Sequence, residues 1–245
     1  MKQKNFDSGI VRAMAICNKL GLEPKMVYPV SLKVCDGFNK VALMSSSTHE
    51  EIYFAGLNKG YYNFILSDFS YFQFSFRELK PDPKKPKLSY PYELRMAFYP
   101  NPMNSSTYSD EPDSPTDLLQ TYHQYYLEDE WSFEDYTQAL CELRSNITTP
   151  ILRYDLSEQQ HKRVNHPIAH IHLGINNSSR IATNKVFTPE LFTTFVLSNF
   201  YRTNWELLSG SDLKLDQEYK RAKADCATIK SDFYCDVQRG ALNIM

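Results

Sequence analysis

Apolar residues recur along this chain first at helical and then at strand spacing, and each change of period marks an element. Asp7 is placed to cap a first helix. Ile10, Met14, Cys17 and Leu20 follow at steps of four, three and three, a stripe that ends at Gly21. Residues 26–34 alternate as a strand, and 41–45 and 51–55 read as further short strands. The clearest β segment is 61–79. There Phe72, Phe74 and Phe76 alternate with Tyr71, Gln73 and Ser75, the period of two of a strand with one buried face, and Asp68-Phe69-Ser70 divides the segment. Residues 80–91 hold four Lys and four Pro and exclude regular structure, and 92–99 resume as a strand. The two strands form an antiparallel pair joined by a long basic loop. Residues 101–115 crowd Pro, Ser and Asp into a flexible loop.

Helical spacing then returns. Leu118, Leu119, Tyr122, Tyr125 and Tyr126 stripe a helix over 116–128. Ser132 with Asp135 caps another, continued by Tyr136, Ala139, Leu140 and Leu143. Residues 151–154 and 168–173 read as strands. Thr188-Pro189-Glu190 opens a helix whose Phe192, Phe195, Val196 and Phe200 face one way, and 215–229 form a last helix. Runs of strands and runs of helices predict an α+β fold, an antiparallel sheet packed against helices, with C-terminal helices after the last strand. The whole of 1–245 reads as a single domain.

Bulk properties narrow the class. Hydrophobic residues make up 42% and charged residues 23%, as in a globular protein, and 17 Tyr and 15 Phe against 8 Gly argue against extended disorder. A net charge of −2 gives no support to a nucleic-acid-coating role for the whole surface. No run approaches the about 18 apolar residues of a membrane helix, and the N-terminus has no apolar signal region. Five scattered cysteines without a C-x-x-C pair suggest neither a disulfide framework nor a cysteine zinc site, and fit a cytoplasmic location.

The candidate chemistry lies in one stretch. Four of the six histidines, His161, His166, His170 and His172, fall within 161–172, just after Arg153-Tyr154-Asp155. Histidine titrates nearest to neutral pH, so such a cluster suits proton transfer, metal binding or phosphate recognition. On a strand over 168–173, Ala169, Ile171 and Leu173 would face the core. His170 and His172 would share the other face, roughly 6–7 Å apart, with His166 at the same parity. Arg153 offers a planar fork for phosphate, Asp155 or Tyr154 can orient an imidazole, and Arg180 follows a polar turn as a second anion contact.

Known motifs fail at definite positions. A nucleotide-hydrolase histidine triad needs His where Ile168 stands, and a cupin needs Glu where Asn176 stands. A JAMM-type protease needs Ser and Asp where Arg180 and Thr183 stand. H-E-x-x-H, the Walker loop, G-x-G-x-x-G and G-x-S-x-G are absent. With no strong carboxylate partner beside the pair in sequence, a metal-free site without cofactor is expected, and three-histidine metal binding by His166, His170 and His172 is the alternative.

The stretch R-Y-D, H-P-x-x-H-x-H-x-G, Arg and F-x-x-F-x-x-x-x-F-Y stands here at Arg153 to Asp155, His166 to Gly174, Arg180, and Phe192 to Tyr201. In it the chain resembles an uncharacterised bacterial family. It is also locally similar to small toxins of the TumE type, which combine R-Y-D with a P-x-x-H-x-H-like strand. That second resemblance implies a toxin or defence role on RNA, with His170, His172 and Arg153 in the site.

Together these readings lead to an expected function as a nuclease-like effector on RNA. One of His170 and His172 would take the 2′-hydroxyl proton and the other protonate the leaving oxygen. Arg153 and Arg180 would stabilise the charged phosphorane. Lys84, Lys85 and Lys87, with Lys80, Tyr90 and Tyr92, would guide the strand. The alternative is a non-enzymatic subunit that binds a neighbour-encoded protein through its aromatic surface and the acids at Asp110–Asp113 and Glu128–Glu130.

Overall fold

The computed structural model describes residues 1–81, 83, 87–102, 115–145, 149–163, 165–175, 179–209 and 215–234, with backbone only at 115–120, 140–145 and 209. In chain order the elements are α1 (Gln3–Lys19), β1 (Lys25–Met26), α2 (Asp36–Ala42), α3 (His49–Asn58), β2 (Phe64–Ile65), β3 (Tyr71–Glu78) and β4 (Tyr92–Tyr99). There follow α4 (Pro115–Leu127), α5 (Phe133–Ser145), β5 (Leu152–Leu156), β6 (Ala169–Leu173), β7 (Ile181–Ala182), α6 (Pro189–Phe200), α7 (Arg202–Ser209), α8 (Leu215–Asp225) and a short turn of 3-10 helix at Ser231–Phe233.

Among the described residues seven strands pair antiparallel in chain order, β1 to β7, as one meander, which makes the fold α+β. Alternation sorts the side chains into two faces. On one, Phe72, Phe74 and Phe76 stand opposite Phe98, Met96 and Leu94, which stand opposite Leu152, Tyr154 and Leu156. This face is dry. It packs against Phe6, Ile10, Ala13 and Cys17 of α1 and Leu191, Phe192 and Val196 of α6, with Trp205 and Ala222 at its edge. Among the described residues the second face carries an apolar cover at one end, where Phe38 of α2 and Ile52 and Tyr53 of α3 meet Tyr71, Ala97, Tyr99 and Ile151.

Several expectations are corrected. Residues 41–45 and 51–55 are not strands; they fall at the end of α2 and inside α3. At α3, Thr48 and Glu51 close a reciprocal capping box, which favours a helix over the strand that its β-branched and aromatic residues suggest. Only Lys25–Met26 of the 26–34 region pairs as a strand. Beyond it the backbone is held by scattered backbone bonds, such as Leu32 N to Phe74 O at 2.8 Å, and by side chains. The fully buried Asn63 amide donates to Tyr28 O (2.9 Å) and Val30 O (2.8 Å), and its oxygen accepts from Phe74 N at 2.7 Å. Asp7 is no cap, since α1 begins at Gln3. Its carboxylate instead accepts from Ser31 N at 2.8 Å and pins this same segment. Ser132 and Asp135 do cap α5, with hydroxyl donating to carboxylate at 2.6 Å. α7 and β7 have no counterpart in the sequence reading. The expected loop at 101–115 falls almost wholly outside the described residues. No helix among the described residues is long and apolar enough to cross a membrane.

Candidate functional site

The polar side chains of the second sheet face line up along two neighbouring rungs. On one rung Ser75, Arg95, Asp155 and His170 stand opposite one another across β3, β4, β5 and β6. On the next rung Gln73, Ala97, Arg153 and His172 do so. The two-residue spacing within β5 and within β6 thus becomes a square of Arg153, Asp155, His170 and His172. This is the sheet's own pairing rather than a loop arrangement, so its geometry is set by ladder hydrogen bonds.

Within the square the groups touch. Arg153 donates from Nε and Nη2 to Asp155 Oδ2, both at 2.9 Å. Arg95 Nε lies 3.4 Å from Asp155 Oδ1, and His172 Nε2 lies 3.4 Å from Asp155 Oδ2. The two rings meet edge to face with Nε2 to Nε2 at 2.9 Å. His170 Nδ1 donates to Pro167 O at 2.8 Å, which settles its tautomer and leaves Nε2 as a lone pair turned to His172. His166 stands edge-on to His170, ring centres 4.8 Å apart. His170 is 1% and His172 3% exposed, so the pair is interior rather than a solvent-facing ribbon. Asp155 Oδ1, His172 Nδ1 and His166 Nδ1 are buried without a hydrogen-bond partner among the described residues.

The electrostatics follow from these contacts. Burial pushes the Asp155 carboxyl up, but Arg153, the His172 ring and Arg95 together outweigh it and hold it well below the usual carboxylate range. Burial is the main reason that His170 is drawn down to about 4; neighbouring His172 adds to this and Asp155 opposes it. His166 is lowered by burial and then by the charge of Arg180. At neutral pH the square therefore holds an ionised carboxylate, the Arg153 guanidinium and a neutral His170, with the Arg95 guanidinium beside it.

An open groove of about 270 Å³ lies beside this square and reaches it at Asp155. Arg77, Arg95, Glu93, Tyr61, Ser157 and Gln160 also line it. Arg77 pairs with Glu93, whose other oxygen accepts from Ser157 Oγ at 2.6 Å. Arg95 is half-exposed and, among the described residues, its ion pair is the long contact to Asp155.

His170 and His172 share one face as their spacing predicts, and strand pairing puts Arg153 and Asp155 on the same face. Other expectations differ from the structure. Tyr154 points through the sheet into the dry core. There its hydroxyl donates to Lys185 O (3.0 Å) and accepts from Phe187 N (3.2 Å), with the ring stacked on Phe187, so it orients no imidazole. Leu173, expected in the core, is 41% exposed because the strand ends there. The histidine rings touch, so no phosphate fits between them as between a separated acid and base. Arg180 is exposed and only its charge reaches the cluster, at His166. His161 donates to His166 O at 3.2 Å outside the square. Lys84 and Lys85 lie outside the described residues, while Lys87 is exposed. Tyr90 and Tyr92, expected to stack on a strand, are buried; Tyr92 stacks on Phe76 instead. Arg95 and Arg77 were missed. The signal was present, since Glu93 and Arg95 alternate with Tyr92, Leu94 and Met96 and must share a face.

No curated protein and no solved structure matches the chain. One family model, described as "Uncharacterized conserved protein (DUF2290)", matches residues 26–234, from the segment pinned by Asn63 through both rungs to the C-terminal helices. The chain belongs to the DUF2290 family.

Proposed function

We propose that the chain cleaves phosphodiester bonds in RNA, as a toxin or defence effector. The observation that carries this reading is Asp155, which joins Arg153, Arg95 and the histidine pair and lines an open groove. A phosphodiester entering along Arg77 and Arg95 would meet guanidinium groups before it meets the histidines. Guanidinium is suited to the equatorial oxygens of a phosphorane, and its value there rises where water is excluded. Asp155 borders that groove, with His172 against its carboxylate and His170 against His172, and this group would activate the attacking oxygen. The resemblance of R-Y-D and H-x-H to TumE-type toxins supports RNA as the polymer.

The test is cleavage of labelled single-stranded RNA and of DNA of the same sequence. RNA cleavage is expected, and Arg153→Ala is expected to reduce it about 100-fold or more, the usual cost of a transition-state donor. Growth arrest on induced expression, relieved by the same substitution, would place the activity in the cell. Intact RNA at stoichiometric enzyme, or full activity of Arg153→Ala, would overturn the reading.

A second reading is supported by the α4–α5 hairpin. Residues 121–139 hold five acids (Glu128, Asp129, Glu130, Glu134, Asp135) and no Lys or Arg, and none of these residues is buried. Leu127 and Phe133 are 67% and 63% exposed. A basic protein surface is the partner that such a hairpin suits.

A further inference from the structure

We propose that Asp155, His170 and His172 bind a divalent transition-metal ion. A carboxylate oxygen of Asp155 and one ring nitrogen from each histidine lie within 4.8 Å of one another, the spread of atoms that share one ion. The Pro167 carbonyl engages the far nitrogen of His170, as the outer partner of a metal-bound histidine commonly does, and turns the Nε2 lone pair inward.

The interior is difficult to satisfy with protons alone. With its proton on Nε2, His172 donates to His170, and its Nδ1 lone pair is buried without a partner among the described residues. With its proton on Nδ1, two Nε2 lone pairs face each other at 2.9 Å. A buried unsatisfied polar group costs about 1–3 kcal/mol. A cation accepts both Nε2 lone pairs and the carboxylate at once, which a single proton does not.

The donor set selects the ion. Two imidazoles and one carboxylate suit Zn²⁺, Mn²⁺, Fe²⁺ or Co²⁺ better than Mg²⁺ or Ca²⁺, which prefer all-oxygen shells. Three protein ligands leave a position open, and Asp155 borders the groove, so a water on the ion would face entering substrate. The metal-free expectation rested on the lack of a carboxylate beside the pair in sequence; strand pairing supplies Asp155 directly opposite His170. Arg153 shares the same carboxylate and competes with the ion for it. The binding itself rests on geometry, but the ion's role in activating water rests on the phosphodiester reading.

The experiment uses the full chain, stripped with a chelator and titrated with Zn²⁺ and Co²⁺ by calorimetry and visible absorption. One ion per chain is expected, with d–d bands of a nitrogen–oxygen site for Co²⁺. His170→Ala, His172→Ala and Asp155→Asn should each weaken binding by about tenfold or more, since ligand loss costs at least as much as loss of an outer partner. Arg153→Ala should bind the ion as well as or better than the wild type, because a competing cation is gone. Circular dichroism checks that each variant folds. Should His170→Ala fail to fold, the cobalt spectra of wild type and Asp155→Asn decide, since losing the carboxylate must shift the bands. Absence of stoichiometric binding, or binding unchanged in Asp155→Asn and in a folded histidine variant, overturns the proposal. RNA cleavage that persists in chelator removes the metal and keeps the nuclease; metal binding without cleavage does the reverse.

Discussion

Tyr154 and Asp155 are neighbours in sequence and lie on opposite sides of a sheet. Tyr154 is fully buried, and its hydroxyl joins β5 to the backbone at Lys185 and Phe187. Tyr154→Phe should therefore lower stability by about 1–3 kcal/mol in urea denaturation, the cost of leaving buried groups unpaired, with RNA cleavage by the folded variant as in the wild type. A tenfold fall in cleavage would return Tyr154 to the site. His49 is a second residue whose burial has a consequence. It donates from Nε2 to Pro100 O at 3.0 Å, and burial lowers its pKa from the ordinary 6.5, partly offset by that bond and by Glu50. Above pH 6.5 neither state is protonated there, and the folded state loses nothing. As pH falls below 6.5 the unfolded chain takes up a proton that the folded chain resists, so stability declines. His49→Gln, which keeps a donor for Pro100, should make the urea midpoint less steep in pH below that point; an unchanged slope would show that His49 is not the source.

At the scale of elements, the long strands were legible and the short ones were not. β3 and β4 are eight residues each and alternate over part of that length, Phe72 to Arg77 in β3 and Tyr92 to Met96 in β4, and the dry face could be named from Phe72, Phe74 and Phe76 alone. α3 was misread because Ile52-Tyr53-Phe54 has strand propensity, while its decisive signal is the Thr48–Glu51 cap. β1 and β7 are two residues each, too short for any period to show. The seating of α3 is tight. A Cβ at Gly56 would overlap the Tyr71 hydroxyl, which donates to Tyr53 O at 2.9 Å. Gly56→Ala improves helix propensity by up to about 1 kcal/mol, yet overpacking costs about 1–3 kcal/mol. Net destabilisation is expected in thermal melts, and a rise in melting temperature would contradict this packing.

On the scale of the whole molecule, the sheet divides its labour between its faces. The aromatic face carries α1 and α6 and supplies the core; the other is partly roofed by α2 and α3 and leaves the charged rungs beside a groove. The α4–α5 hairpin buries none of its described side chains, so Phe133→Asp should change stability by no more than about 0.5 kcal/mol. If the hairpin docks on a basic partner, the same substitution abolishes co-purification of that partner, and retained capture would move the interface elsewhere.

Parity along a strand is a local property of the backbone, which is why His170 and His172 could be assigned a common side from their spacing alone. The aromatic core and the α+β class followed from the same periodicity. Neighbourhood across strands is not local. It took the pairing of β4 with β5 to bring Arg95 to Asp155, and of β5 with β6 to bring Asp155 to His170. Burial of the imidazoles and the 2.9 Å approach of their rings arise from the same long-range register, so the amino-acid order named most members of the centre while folding decided that they form one.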